Sequence, residues 1–191
     1  SVTRSALGKS RTCLAPAARA EYDGVRNMKT LLLVRHAKAG WSEGGMPDHQ
    51  RPLTARGRED AAAMGRRLRE WAVRPDAVIT SSAVRARTTA GMIATALALD
   101  PGRIRSTEAL YGATGAELLA AVTALDDRLD CVILVGHNPG LTDLAHRFGA
   151  AITHLPTCAV AGFRFPVRGW AELAGQHGAA FLFSHPADGK D

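Results

Sequence analysis

A histidine at the end of a short apolar run, next to an arginine or a sharp turn, has the chemistry to attack or hold an anion. This chain has two. Leu31-Leu32-Leu33-Val34 runs into Arg35-His36, and Cys131-Val132-Ile133-Leu134-Val135 runs into Gly136-His137-Asn138-Pro139-Gly140. Imidazole is a nucleophile and proton carrier near neutral pH. Guanidinium pairs with the oxygens of phosphate. A third cluster, Ser81-Ser82-Ala83-Val84-Arg85-Ala86-Arg87-Thr88-Thr89-Ala90, places Arg85 in the first turn of an expected helix. The helix dipole disfavours a cation there. An anion bound at the same helix end would account for it.

These residues meet only if the elements before them share one sheet. A run of four or five β-favouring residues closed by a turn reads as a buried parallel strand. Ligand sites of open α/β sheets lie at the carboxyl ends of such strands. Helical spacing follows each run. Thr54 is expected to cap a helix to about Val73, with Ala61, Met64, Leu68 and Trp71 on its inner face and Pro75 as its stop. Asp76–Thr80 reads as a strand. The next helix carries Val84, Thr88, Met92, Thr95 and Leu99 at helical spacing and ends at Asp100-Pro101-Gly102. Arg103–Ser106 suggests a brief strand, and Gly112-Ala113-Thr114-Gly115 a turn. Thr114 opens a third helix with Leu118, Val122 and Leu125 inward. Asn138 is expected as an N-cap with Pro139 at the first helical position, in a helix to about Phe148. Ala159–Phe165 and Ala179–Phe183 read as strands, with a weaker one over Trp170–Leu173. The alternation predicts a three-layer αβα fold with a mainly parallel central sheet. Gly57 inside the first helix implies close backbone packing.

The chain's 191 residues suit one domain. Residues 1–27 are rich in Ser, Ala and Arg, without apolar periodicity, and carry half of the net charge of +6. They read as a disordered basic extension or a non-native start ahead of Met28; a targeting peptide is the alternative. The expected domain spans 28–185, with 186–191 a flexible tail. No apolar stretch approaches membrane-spanning length, so no membrane partner is expected. Aromatic residues are only 5% of the chain, and no basic stripe alternates with them, so nucleic acid is not an expected partner. Cys13, Cys131 and Cys158 form no metal-ligand spacing. Cys131 and Cys158 read as buried apolar groups of a cytoplasmic protein. The phosphate-binding G-x-x-x-x-G-K-[ST] loop, the G-x-G-x-x-G fingerprint and the G-x-S-x-G elbow are absent.

Together, Leu33-Val34-Arg35-His36, Arg51-Pro52-Leu53-Thr54-x-x-Gly57, Ser82-x-x-Arg85-Ala86-x-x-Thr89-Ala90 and Gly136-His137-Asn138-Pro139 resemble the histidine phosphatase superfamily, with its phosphoglycerate mutase-like fold. The short chain without a large cap insertion, Asp48-x-x-Arg51-Pro52-Leu53-Thr54 and the Gly-His-Asn-Pro-Gly turn resemble its phosphohistidine phosphatase, SixA-type branch. Ala37 stands where much of the superfamily has glycine; relatives in this branch share the alanine.

The resemblance implies His36 as nucleophile, with its second ring nitrogen held by a backbone carbonyl. It implies Arg35, Arg85 and His137 around the phosphoryl oxygens, with Asn138 as a further substrate-binding residue, and no cofactor or metal. Glu108, just ahead of Tyr111-Gly112, occupies the general-acid position of phosphoglycerate mutases. Asp48 is a second candidate, or an anchor for the loop over the pocket. His49, His146, His154, His177 and His185 read as surface or structural, and Arg56 and Arg58 as cations that could steer an acidic substrate. The expected partner is a phosphorylated substrate, either phosphohistidine in a protein or a small phosphoester. A broad-specificity phosphomonoesterase and a non-catalytic phosphate-binding module remain as alternatives. Oligomeric state is left open.

Overall fold

Lys29–Arg35 forms strand β1, in which Leu31 and Leu33 face one side of the sheet and Leu32 and Val34 the other. Both faces are apolar because both are covered. The computed structural model describes residues 28–41, 44–149 and 151–187. The further strands are β2 (Ala77–Ser81), β3 (Ile104–Thr107), β4 (Cys131–Gly136), β5 (Val160–Phe165) and β6 (Ala179–Ser184). They form one six-stranded sheet in the order β3-β2-β4-β1-β5-β6. The first three pairings are parallel, whereas β5 runs antiparallel to both β1 and β6.

Helices α1 (Ala55–Glu70) and α2 (Val84–Ala96) cover one face, meeting Leu32, Val34, Ile133 and Val135. Helices α3 (Gly115–Thr123) and α4 (Gly140–Phe148) cover the other, meeting Leu31, Leu33, Val132 and Leu134. The fold is therefore three-layered αβα. The expected extension over 1–27 and most of the expected tail, 188–191, lie outside the described residues.

The caps are local. Thr54 Oγ1 accepts the Gly57 N–H at 3.0 Å, and Thr114 makes a capping box with Glu117. Gly57 is required by packing: a Cβ there would lie 2.1 Å from the carbonyl oxygen of Lys38. Gly140 is equally constrained, with a Cβ 2.0 Å from the carbonyl oxygen of Ala113.

Four local expectations are corrected. Trp71 is the C-cap of α1, 37% exposed, because the helix ends before its side chain can turn inward. The buried face of α2 is Arg85, Ala86, Thr89, Ala90, Ile93 and Ala94, shifted from the expected stripe. Small residues win this face because α1 packs close, with a Cβ on Gly65 only 2.7 Å from Ala96 Cβ. Trp170–Gly175 is a 3₁₀ helix rather than a strand. It is pinned at its start by the Trp170 N–H, which donates to Asp127 Oδ1 at 2.8 Å. Pro139, not Asn138, is the N-cap of α4, because the Asn138 amide is turned away to the Leu155 carbonyl, 3.0 Å off.

Candidate active site

Sheet order and register bring the three clusters together. Arg35 on β1 is paired with Gly136 on β4, so His36 and His137 leave the sheet side by side. Thr80 on β2 is paired with Val135 on β4, which sets Ser81-Ser82 and the start of α2 next in line. Ser81 is paired with Thr107 on β3, and Glu108 follows at the end of the row.

The two imidazole rings are 5.0 Å apart, centre to centre. The Nδ1–H of His36 donates to the Ala37 carbonyl at 2.8 Å. That tautomer leaves a lone pair on Nε2, which accepts from Arg85 Nε at 3.3 Å. Arg85 can only donate, so the 3.5 Å approach of its Nη2 makes His137 Nδ1 an acceptor. The Nε2–H of His137 then donates to Ser81 Oγ at 2.8 Å. Burial pushes His36 down to about 4, helped by the nearby cationic Arg85 and Arg35. Burial likewise pushes His137 down to about 3, with the fields of His36 and Arg85 adding to it. Both rings are neutral at pH 7 in this arrangement.

Arg35 is anchored through Nη1, which donates to the Leu155 carbonyl at 2.8 Å. Its Nε is buried without a hydrogen-bond partner among the described residues, as is Asn138 Oδ1. Arg35 and Asn138 therefore share one carbonyl, that of Leu155, although they come from different strand ends. Behind them the Cys158 N–H donates to the carbonyls of both Arg35 and His36, from a backbone with φ of 60°. The Ala37 N–H donates to Thr89 Oγ1 at 3.1 Å, tying the loop to α2.

Asp48 fills the space in front of Arg85. Its backbone oxygen accepts from Arg85 Nη1 at 2.6 Å, and its Oδ2 accepts from Nη2 at 2.8 Å. Oδ2 also accepts the Tyr111 hydroxyl at 2.8 Å, and Oδ1 accepts Arg51 Nη1 at 2.8 Å. Hydrogen bonds from Arg51, Tyr111 and Arg85 hold this carboxyl well below the usual range, so it is an anion, not an acid, at neutral pH. Glu108 stands farther out. Its side chain is 77% exposed, with Oε1 3.7 Å from His49 Nε2. His49, expected at the surface or in a structural role, belongs to the rim: its Nε2 is 2.8 Å from Ser82 Oγ, and its ring meets Tyr111 edge-on at 4.9 Å.

The structure thus groups Arg35, His36, Arg85, His137 and Asn138, and leaves Glu108 at the mouth. Sequence reasoning missed Ser81, Thr89, Tyr111, Leu155 and Cys158. Tyr111 served only as a marker for Glu108. The Leu155 carbonyl and Cys158 N–H are backbone groups with no sequence signal. Two surface hollows, one lined by Arg103, Arg105 and Arg128 and one by Arg66, Met92 and Thr95, lie away from the cluster. Among the described residues no group of three or more His, Cys, Asp or Glu is placed to hold a metal ion, and no helix is long and apolar enough to cross a membrane.

Fold and strand-end cluster define a class, and comparison with known proteins gives the same one. Residues 31–110 match the model of the histidine phosphatase superfamily (branch 1). An uncharacterized protein of Mycobacterium tuberculosis is 36% identical over 115 residues, covering 59% of this chain and 67% of that protein. The structure is similar to a candidate phosphohistidine phosphatase SixA from Nakamurella multipartitia, at 29% identity and TM-score 0.73, covering 84% of this chain and 97% of that one. A second such candidate, from Agrobacterium tumefaciens, gives 26% identity and TM-score 0.71, with 83% and 98% covered. The chain belongs to the histidine phosphatase superfamily.

Proposed function

We propose that residues 28–185 form a phosphatase that works through a phosphorylated His36 and hydrolyses phosphohistidine in a protein. The carrying observation is the His36 tautomer: Nδ1–H is fixed on the Ala37 carbonyl, and the Nε2 lone pair faces a guanidinium. In the first step Nε2 bonds to phosphorus and the bond from phosphorus to the substrate imidazole breaks. That imidazole takes the bonding pair and leaves neutral, with the proton already on its other nitrogen. In the second step water attacks phosphorus, Nε2 of His36 takes back the bonding pair as its bond to phosphorus breaks, and inorganic phosphate leaves with the water's oxygen and both of its protons, while Nδ1–H stays on the Ala37 carbonyl. Arg85 and the unpartnered Arg35 Nε offer donors to the phosphoryl oxygens, and His137 gains a reason to protonate once the anion arrives. Asn138 helps to fix Arg35 through the shared Leu155 carbonyl. No cofactor enters these steps.

The exposed position of Glu108 supports phosphohistidine over alkyl phosphates, because an alkoxide needs a poised acid whereas a departing imidazole does not. Likeness to the candidate SixA structures supports the same substrate class. The rival reading is a general phosphomonoesterase with Glu108 as the acid, and its place beside His49 at the mouth favours that. The test is kcat/KM of wild type and Glu108→Gln on a phosphohistidine peptide, an aryl phosphate and an alkyl phosphate, with EDTA and vanadate arms. We expect turnover in EDTA, inhibition by vanadate, and P–N cleavage little changed by Glu108→Gln. Efficient alkyl phosphate cleavage that falls on the order of 10² to 10⁴ in Glu108→Gln would favour the rival. A phosphoenzyme trap separates both from a silent binding module.

A further inference from the structure

A guanidinium has two edges that can each grip a pair of acceptors: a side edge of Nε and Nη2, and an end edge of Nη1 and Nη2. The two edges of Arg85 have different neighbours. On the side edge, Nε lies 3.3 Å from His36 Nε2 and Nη2 lies 3.5 Å from His137 Nδ1. On the end edge, Nη1 donates to the Asp48 carbonyl at 2.6 Å and Nη2 donates to Asp48 Oδ2 at 2.8 Å. Nη2 carries a hydrogen for each edge. Asp48 therefore occupies the end edge and leaves to the imidazoles the edge that faces them. This grip is itself held. The Asp48 carbonyl also accepts the Arg51 N–H at 3.2 Å, which closes the 3₁₀ turn Asp48–Gln50. Arg51 Nη1 donates to Oδ1 at 2.8 Å while its Nε donates to the Gly40 carbonyl at 2.6 Å. The Tyr111 hydroxyl donates to Oδ2 at 2.8 Å. An exposed carboxylate in a single ion pair is loosely placed. This one is half exposed, yet Arg51, Tyr111 and Arg85 all donate to it.

Resting on the phosphatase reading above, we propose that Asp48 is a positioning residue for phosphoryl transfer: it grips the end edge of Arg85 and so keeps the side edge aimed at His36 Nε2, where the phosphoryl group bonds. A guanidinium on a long side chain can roll about its terminal bonds. Two bonds on one edge fix its plane as well as its place. Phosphoryl transfer gains most from donors that are already in position when charge shifts on the phosphoryl oxygens. The carboxylate has a second effect. It is an anion beside a pocket that must release an anion, so it opposes tight holding of the product phosphate. A plug that the substrate displaces would lie on the side edge, between Arg85 and the imidazoles. Asp48 does not lie there.

The experiment compares wild type, Asp48→Ala and Asp48→Asn on phosphoramidate and on a phosphohistidine peptide, with inhibition constants for vanadate and for inorganic phosphate. Urea midpoints report folding. In Asp48→Ala, kcat should fall on the order of 10- to 100-fold. KM should stay within about threefold. Asp48→Asn keeps one side-chain oxygen for Arg85 and loses the acceptor for Arg51, so its kcat should fall less, by about three- to tenfold. Vanadate, which resembles the transition state, should bind more weakly in step with the fall in kcat, whereas phosphate should bind as in wild type or more tightly. Tighter vanadate together with a rise in kcat/KM in Asp48→Ala would make the carboxylate a plug and overturn the proposal. Unchanged kcat, a loss carried by KM alone, or equal weakening of vanadate and phosphate each overturn it as well. Should Asp48→Ala fail to fold, folded Asp48→Asn decides, and wild-type kcat in that variant overturns the proposal. In all these cases turnover by wild type leaves the phosphatase reading standing. Failure of wild type to turn over either P–N substrate overturns that reading and the proposal with it.

Discussion

The two ends of the parallel strands treat buried polar groups in opposite ways. At the amino end, Lys29 is buried but fully engaged: Nζ donates to the carbonyls of Asp127 and Leu129 at 2.5 and 3.1 Å and to Asp130 Oδ1 at 3.0 Å. Trp170 closes that corner, donating from Nε1 to the Leu129 carbonyl at 2.8 Å. At the carboxyl end, two imidazoles are held neutral, the Arg35 Nε and Asn138 Oδ1 lack partners among the described residues, and an exposed loop supplies the carboxylate against Arg85. A buried donor without a partner costs stability and is retained where another group is to meet it. The contrast separates a corner whose polar groups are satisfied within the chain from an edge that leaves polar groups open, as the proposed phosphoryl transfer requires.

Three measurements test this contrast. The largest effect is expected for His36→Ala: turnover of phosphohistidine should fall by about 10³-fold or more, with no trapped phosphoenzyme. The urea midpoint should hold, because His36 lies past the end of its strand. Residual turnover of a few percent would remove His36 as the nucleophile.

Lys29→Met should do the reverse. It leaves the carbonyls of Asp127 and Leu129 short of a donor and should cost about 1–3 kcal/mol in urea unfolding, with kcat unchanged. A loss of kcat without a loss of stability would dissolve the distinction between the ends.

The smallest effect is a pH dependence. His36 and His137 sit at about 4 and about 3 in the native state against 6.5 unfolded. The unfolded chain therefore binds more protons between these values, and stability falls as pH drops from about 6.5 toward 4. Above pH 6.5 the two histidines contribute no slope. Urea midpoints at pH 7.5 and 5 should differ in wild type and differ less in a His36→Asn, His137→Asn double variant. An equal pH effect in both would place the acid sensitivity elsewhere.

Much of this edge is legible in the order of the amino acids. Strand runs ending in Arg35-His36 and Gly136-His137 and the capping threonines are local signals with local causes, whereas Gly57 is a local signal whose cause, the Lys38 carbonyl, lies in another loop. The inner face of α2 is not legible in the same way. Met92 and Leu99 outweigh Ala86, Ala90 and Ala94 in apolar content, whereas closeness to α1 rewards small size. Asn138 carries the signature of a cap, but its true partner, the Leu155 carbonyl, lies 17 residues away.

Periodicity, turn chemistry and capping act over a few residues, so the amino-acid order suffices to say which elements form and which residue types stand at their ends. What those residues do to one another is a matter of tertiary contacts. Only the β2-β4-β1 order makes His36, His137 and Arg85 neighbours, and only the meeting of separate loops sets Asp48 and Tyr111 before Arg85. The burial that holds both histidines neutral also comes from packing across the chain, since desolvation depends on every element that excludes water from the site.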